Sequence, residues 1–188
     1  PLFEKGRGLF GLPQARQALR DTNTAIVAEG YMDVIALAQN GVGNAVATLG
    51  TATTATHVNK LLRQVDRIIF CFDGDNAGRK AAWRALEASL EQLADDKMAS
   101  FLFLPPEHAP DSFIRERGTE AFNVEAARAV PLAGFLLREL KTSVDLSTAE
   151  GTARPVHEAK PHRVEPSTPI PRVQPTKAEG ETSADRTG

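Results

Sequence analysis

Two aspartates, Asp73 and Asp75, stand one glycine apart at the end of the apolar run Ile68 to Phe72. Carboxylates this close repel and raise each other's proton affinity, so the spacing favours a site meant for a cation. A third acid, Glu29, ends a second apolar run, "TAIVAEG", and Asp33 follows it by four residues. Asp111 comes just beyond a fourth apolar stretch, "MASFLFLP". Several carboxylates with no ligating Cys or His suit a hard ion that takes oxygen ligands, and Mg²⁺ or Mn²⁺ fits best. Mg²⁺ uses few protein carboxylates and leaves positions open for phosphate oxygens. Cations follow closely in the chain: Arg79, Lys80 and Arg84 after the Asp pair, and Lys5 in "EKGRGLFG". Their charge suits a phosphate held by the metal.

Each of these residues also has a plainer reading. Asp-Gly-Asp is common in turns, where Asp accepts backbone hydrogen bonds and Gly supplies positive φ. Asp33 sits where a helix start favours an acid. Arg79, Lys80 and Arg84 equally suit a solvated helix face with pairs such as Arg84–Glu87. His57 and His108 read as surface or capping residues, and Trp83 as packing rather than base stacking. The single cysteine, Cys71, reads as a buried inert thiol. One cysteine permits no intrachain disulfide and falls short of a structural zinc site, which normally takes four Cys or His ligands.

The elements that would position these acids alternate in period. Residues 24–30, 44–50, 67–73 and 98–105 read as short buried strands. Between them lie helical patterns at 31–41, 53–66 and 76–94, the last with Ala82, Leu86, Leu90 and Leu93 as its expected stripe. "DSFIRERG" and "PLAGFLLREL" supply further helix. Alternating strands and helices with continuously apolar strands predict an α/β fold: a parallel four-stranded sheet flanked by helices. In such a sheet, functional groups gather at the carboxyl ends of the strands, which would bring Glu29, Asp73, Asp75 and Asp111 together.

A hydrophobic content of 41% supports a core, and a formal net charge of −2 excludes a global basic field, though not a local basic stripe. No apolar stretch approaches the roughly 20 residues a membrane helix needs, so no membrane partner is expected. The start lacks the apolar core of a signal peptide, which makes a cytoplasmic protein the expectation. The first residue is Pro rather than Met, as in a piece of a longer protein or a processed product. Residues 151–188 hold six of the twelve prolines and no aromatic residue. Such a segment buries too little apolar area to offset the entropy of ordering, so a disordered tail is expected.

"VAEGYMDVIALAQNGVGNAVATLGTATTATHV", "FCFDGDNAGRKAAWRAL" and "PDSFIRERG" together resemble the Toprim domain of bacterial DnaG-type primases, over roughly residues 1–148. "PLFEKGRGLFGL" resembles the segment leading into Toprim in those primases. The resemblance implies a Rossmann-like sheet and a segment from the primase core at 1–22. It places the Toprim domain at 23–108, a helical extension at 109–148 and the Pro-rich tail at 149–188. It implies metal-dependent synthesis of short RNA primers on a single-stranded DNA template from ribonucleoside triphosphates. Glu29 matches the family's glutamate, Asp73 and Asp75 its aspartate pair, Asp33 the acid of "EGYMD", and Lys5 a basic residue ahead of the domain. Where the family often has Asp-Pro-Asp, this chain has Ala109-Pro110-Asp111, so only Asp111 carries over. The family's zinc module, its basic template-gripping subdomain and its domain for the replicative helicase have no counterpart in these residues. The Pro-rich end departs from the family's helical continuation, as a truncated or frame-shifted gene would. Two alternatives stand beside primer synthesis. One is a different Toprim enzyme, a nuclease or topoisomerase-like strand cutter. The other is a chain that binds metal and nucleotide but catalyses nothing alone.

Overall fold

A computed structural model of the chain describes residues 8–48 and 50–143. Lys5 and the Pro-rich segment 149–188 lie outside the described residues. Four parallel strands form the sheet: β1 (Thr24–Ala28), β2 (Ala45–Ala47), β3 (Arg67–Phe72) and β4 (Met98–Phe103). Helices α2 (Tyr31–Gln39), α3 (Ala55–Leu62) and α4 (Asn76–Leu90) connect them. The α/β fold expected from the sequence, a parallel four-stranded sheet flanked by helices, is therefore present, with one addition. A two-residue strand, β5 (Val130–Pro131), pairs antiparallel with β4 and makes the order β2-β1-β3-β4-β5. A proline suits such an edge, because an edge strand can forgo one ladder donor.

Alternating strand residues build two cores, one on each sheet face. Val27, Ile68, Phe70, Phe72 and Phe101 pack with α3, α4 and α1 (Leu12–Thr22). Ile26, Ile69, Cys71, Leu102 and Leu104 pack instead with α2 and with α5 (Pro110–Ala127). The last helix, α6 (Leu132–Ser143), inserts Phe135 into the first core, its ring 4.8 Å from Phe101. Both faces are thus covered, which is why the strands read as continuous apolar runs rather than alternating ones.

Three local expectations are corrected. Helix α4 ends at Leu90, which is 47% exposed; its buried line is Gly78, Ala82, Ala85, Leu86 and Ser89. Residues spaced by fours drift around a helix with 3.6 residues per turn, so Leu90 rotates off the face that Ala82 starts. His57 and His108 are not surface residues: they are 1% and 6% exposed. His57 is a capping residue, its Nδ1 accepting from the Thr54 backbone N–H while Thr54 Oγ1 accepts from its own. Finally, α1 was not foreseen. Its register of Leu12, Ala15 and Leu19 is short, and Pro13 at its start obscures it, although proline is favoured in a first helical turn.

Candidate metal centre

The strand order creates the site. β1 is neighboured by β2 on one side and β3 on the other, so the chain's connections leave in opposite directions from the β1–β3 pair. A crevice opens at such a switch point, outside the carboxyl ends of the strands. Val27 lies opposite Phe70, so Glu29 and Asp73 emerge from adjacent strands two and three residues further on. Asp33 arrives on the first turn of α2, and Asp111 on the first turn of α5.

Hydrogen bonds tie these elements together. Asp33 Oδ2 accepts from the Gly30 N–H at 3.1 Å, and Asp33 Oδ1 accepts from the Asp111 N–H at 3.2 Å. One side chain therefore caps its own helix and fastens the start of α5, 78 residues away, to the same edge. Asp75 is the N-cap of α4 and accepts from the Gly78 N–H at 2.7 Å. Both plain readings, turn aspartate and helix-start acid, thus hold for Asp75 and Asp33: both oxygens of Asp33 accept backbone hydrogen bonds, while Asp75 accepts through Oδ1.

Two glycines let the turn between β3 and α4 lie against other backbone. A Cβ on Gly74 would stand 2.1 Å from the Leu104 carbonyl oxygen, and one on Gly78 would stand 2.1 Å from that of Asp73. No heavy atom tolerates that distance. The glycines thus seat the Asp73–Asp75 turn on the end of β4 and on the first turn of α4.

The acids share one electrostatic neighbourhood. Burial pushes the Glu29 carboxyl above its ordinary range, and repulsion from Asp73, Asp33 and Asp75 pushes it further. Burial likewise raises Asp73, with Asp75 and Asp111 adding repulsion. Asp33 is raised by burial too, against the lowering effect of its two backbone hydrogen bonds. The structure therefore brings Glu29, Asp33, Asp73, Asp75 and Asp111 to one edge. Among the described residues, no three acidic, His or Cys side chains already stand as a closed ligand set. The donor chemistry still fits a hard divalent cation, since every convergent group is a carboxylate. Cys71 is buried one layer below, and burial pushes its thiol far above the usual range.

The cations are distributed around this edge. Arg79 pairs with Glu139 of α6 at 3.8 Å, and Arg115 pairs with Asp111 at 3.1 Å. Lys80 lines a surface hollow with Trp83 and Arg84. Trp83 is half-buried and donates its indole N–H to Glu87 at 2.9 Å. Arg115 and Glu139 escaped sequence reasoning. Arg115 was legible as the i+4 partner of Asp111, but Glu139 meets Arg79 only through the fold.

Residues 23–99 match the Toprim domain. A DNA primase of Neisseria meningitidis is 54% identical over 162 residues, 86% of this chain and 28% of that protein. The DNA primase of Escherichia coli K12 is 50% identical over 153 residues, 81% of this chain and 26% of that protein. A solved DNA primase domain from Pseudomonas aeruginosa superposes with a TM-score of 0.76 at 54% identity, covering 81% of this chain and 48% of that one. A DnaG primase catalytic domain bound to ssDNA superposes at 0.75 with 49% identity, covering 80% of this chain and 49% of that one. The chain spans about a quarter of the length of the curated relatives it matches. Among the described residues, no helix is long and apolar enough to cross a membrane.

Proposed function

Since this chain belongs to the bacterial DnaG-type primase family, we propose that its carboxylate edge is the metal-binding part of a primer-synthesising active site. The observation that carries this reading is the shared field of Glu29, Asp73 and Asp75, three acids from adjacent strand ends that are each other's neighbours. Glu29, Asp73 and Asp75 would hold Mg²⁺ or Mn²⁺, with Asp33 and Asp111 as further carboxylates at its margin. When bound, the divalent ion supplies charge stabilisation for the triphosphate and for departing pyrophosphate.

The chain's own residues do the rest. The Gly74 and Gly78 contacts fix the spacing of Asp73 and Asp75 before any ligand arrives. Asp33 holds α5 to the edge, so Asp111 is placed by the same element that caps α2. Arg79, Lys80 and Lys5 would meet the triphosphate or a single-stranded DNA template. The 3′-hydroxyl oxygen of a primer or nucleotide bonds to the α-phosphorus, and the bond to pyrophosphate breaks. The hydroxyl proton is released to surrounding water. The products of that step would be short RNA primers made from ribonucleoside triphosphates.

A chimaera tests this reading. The matching segment of the Pseudomonas aeruginosa primase is replaced by residues 8–143 of this chain, and Mg²⁺-dependent primer synthesis is followed on single-stranded DNA. The chimaera should make primers, and Asp73→Ala or Asp75→Ala within it should abolish them without loss of folding. Primer yield unchanged by Asp73→Ala removes the assignment, and cleavage of DNA without nucleotides would favour a nuclease.

A further inference from the structure

Asp111 reaches the carboxylate edge on a short arm rather than on one continuous helix. α5 is broken at Gly118, whose φ of 80° and ψ of 172° are not helical. Beyond the break, Thr119 donates to the Asn40 carbonyl at 2.6 Å and Phe122 is fully buried, so the second half is tied to the end of α2 and to its core. The break frees the first half, residues 110–117, from the direction of that anchored half. The start of the arm must then be fixed locally. Its N-cap, Ala109, makes no side-chain cap bond.

The buried ring of His108 stands at this point instead. The His108 backbone N–H donates to the Pro105 carbonyl at 2.9 Å. The ring meets Phe113 edge-on, with centroids 5.4 Å apart. Nδ1 stands 3.4 Å from Ser112 Oγ, and Nε2 faces Glu116 Oε2 at 3.9 Å. Ser112 Oγ accepts from the Ala109 N–H at 3.1 Å and donates to the Ala109 carbonyl at 3.0 Å. A hydroxyl carries one proton and two acceptor sites, so one acceptor site of Oγ is left for an N–H of the ring. One imidazole thus meets both turns of the arm, and Ser112 adjoins Asp111, whose N–H bonds to Asp33 at 3.2 Å.

We propose that His108 is a positioning residue for the carboxylate edge: through Ser112 and Phe113 it sets the direction of the arm and so the place of Asp111. It touches neither metal nor substrate. The consequence for metal binding rests on the primer-synthesis reading, whereas the direction of the arm is a property of the metal-free chain.

The test follows backbone amide exchange by NMR in the isotope-labelled 188-residue chain in EDTA, with the Phe122 amide, beyond the break, as the control. His108→Ala should speed exchange at Asp111 roughly tenfold and change Phe122 by less than about twofold. His108→Asn, which returns an N–H to the place of Nδ1, should recover most of the protection. In Mn²⁺ titrations, His108→Ala should bind several-fold more weakly than the wild type and His108→Asn close to it. An Asp111 amide equally protected in His108→Ala and the wild type overturns the proposal. So does an equal loss of protection at Phe122, which would make His108 a residue of general stability, or an Asn variant as open as the Ala variant. Equal Mn²⁺ affinity in His108→Ala and the wild type also overturns it. A wild-type chain that binds no Mn²⁺ instead removes the metal-site reading, and the exchange rates alone then decide the place of His108.

Discussion

Gly78→Ala tests whether close backbone contact is what spaces the two aspartates. The new Cβ would stand 2.1 Å from the Asp73 carbonyl oxygen and 3.3 Å from its nitrogen. Reaching even 3.0 Å requires the strand end and the first turn of α4 to part by about 0.9 Å. Overpacking of this kind costs about 1–3 kcal/mol. It outweighs the gain of about 1 kcal/mol that alanine brings to a helix interior, because Gly78 is only the third helical residue. The domain should therefore melt roughly 2–12 °C lower, at about 2–4 °C per kcal/mol. Movement of Asp73 should also weaken Mn²⁺ binding. Gly134→Ala is the matched control. Gly134 is likewise the third residue of its helix, but its Cβ would lie 3.4 Å from Val130 Cγ1, an ordinary contact, so its substitution should shift stability by no more than about 1 kcal/mol. Circular-dichroism melts of both variants decide the matter. A Gly78→Ala protein as stable as Gly134→Ala would refute the close-contact reasoning.

Two further outcomes follow from the same structure. Phe101 is fully buried among Phe70, Phe72 and Phe135, so Phe101→Ala should cost about 3–5 kcal/mol in urea unfolding; a cost under about 1 kcal/mol would mean that this ring cluster is not the core. The pH dependence carries a sign. The folded-state proton affinities of Glu29, Asp33 and Asp73 are raised, so protonation stabilises the metal-free fold fully below their unfolded values. That contribution is lost as pH rises through the raised folded-state values. In EDTA, Asp73→Asn should lose less melting temperature than the wild type over this rise, and parallel curves would contradict the repulsion.

Much of the site was legible because its residues occur at strand ends, and strand ends follow from apolar runs bounded by glycine. Glu29 and Asp73 were placed together by the open-sheet rule alone, although 44 positions separate them. Less legible were features that depend on side-chain volume or on distant partners. His57 is buried while it caps reciprocally with Thr54, and that local pattern is the same at an exposed helix start. The two-residue β5 carries no periodicity to read. Leu90 was placed on the core face because spacing by four imitates a stripe over two turns and departs from it by the third. The Arg79–Glu139 pair joins residues 60 apart, and only the docking of α6 brings them together.

Calorimetric titration of Mn²⁺ into the chain tests the central claim most directly. The wild-type protein should bind, with proton release that grows as the pH is lowered into the raised carboxyl range. Asp73→Asn, which keeps the side-chain volume and removes one charge, should weaken binding by about tenfold or more. Equal affinity in the two proteins, or heat unaffected by the substitution, would contradict a cation held between the ends of β1 and β3.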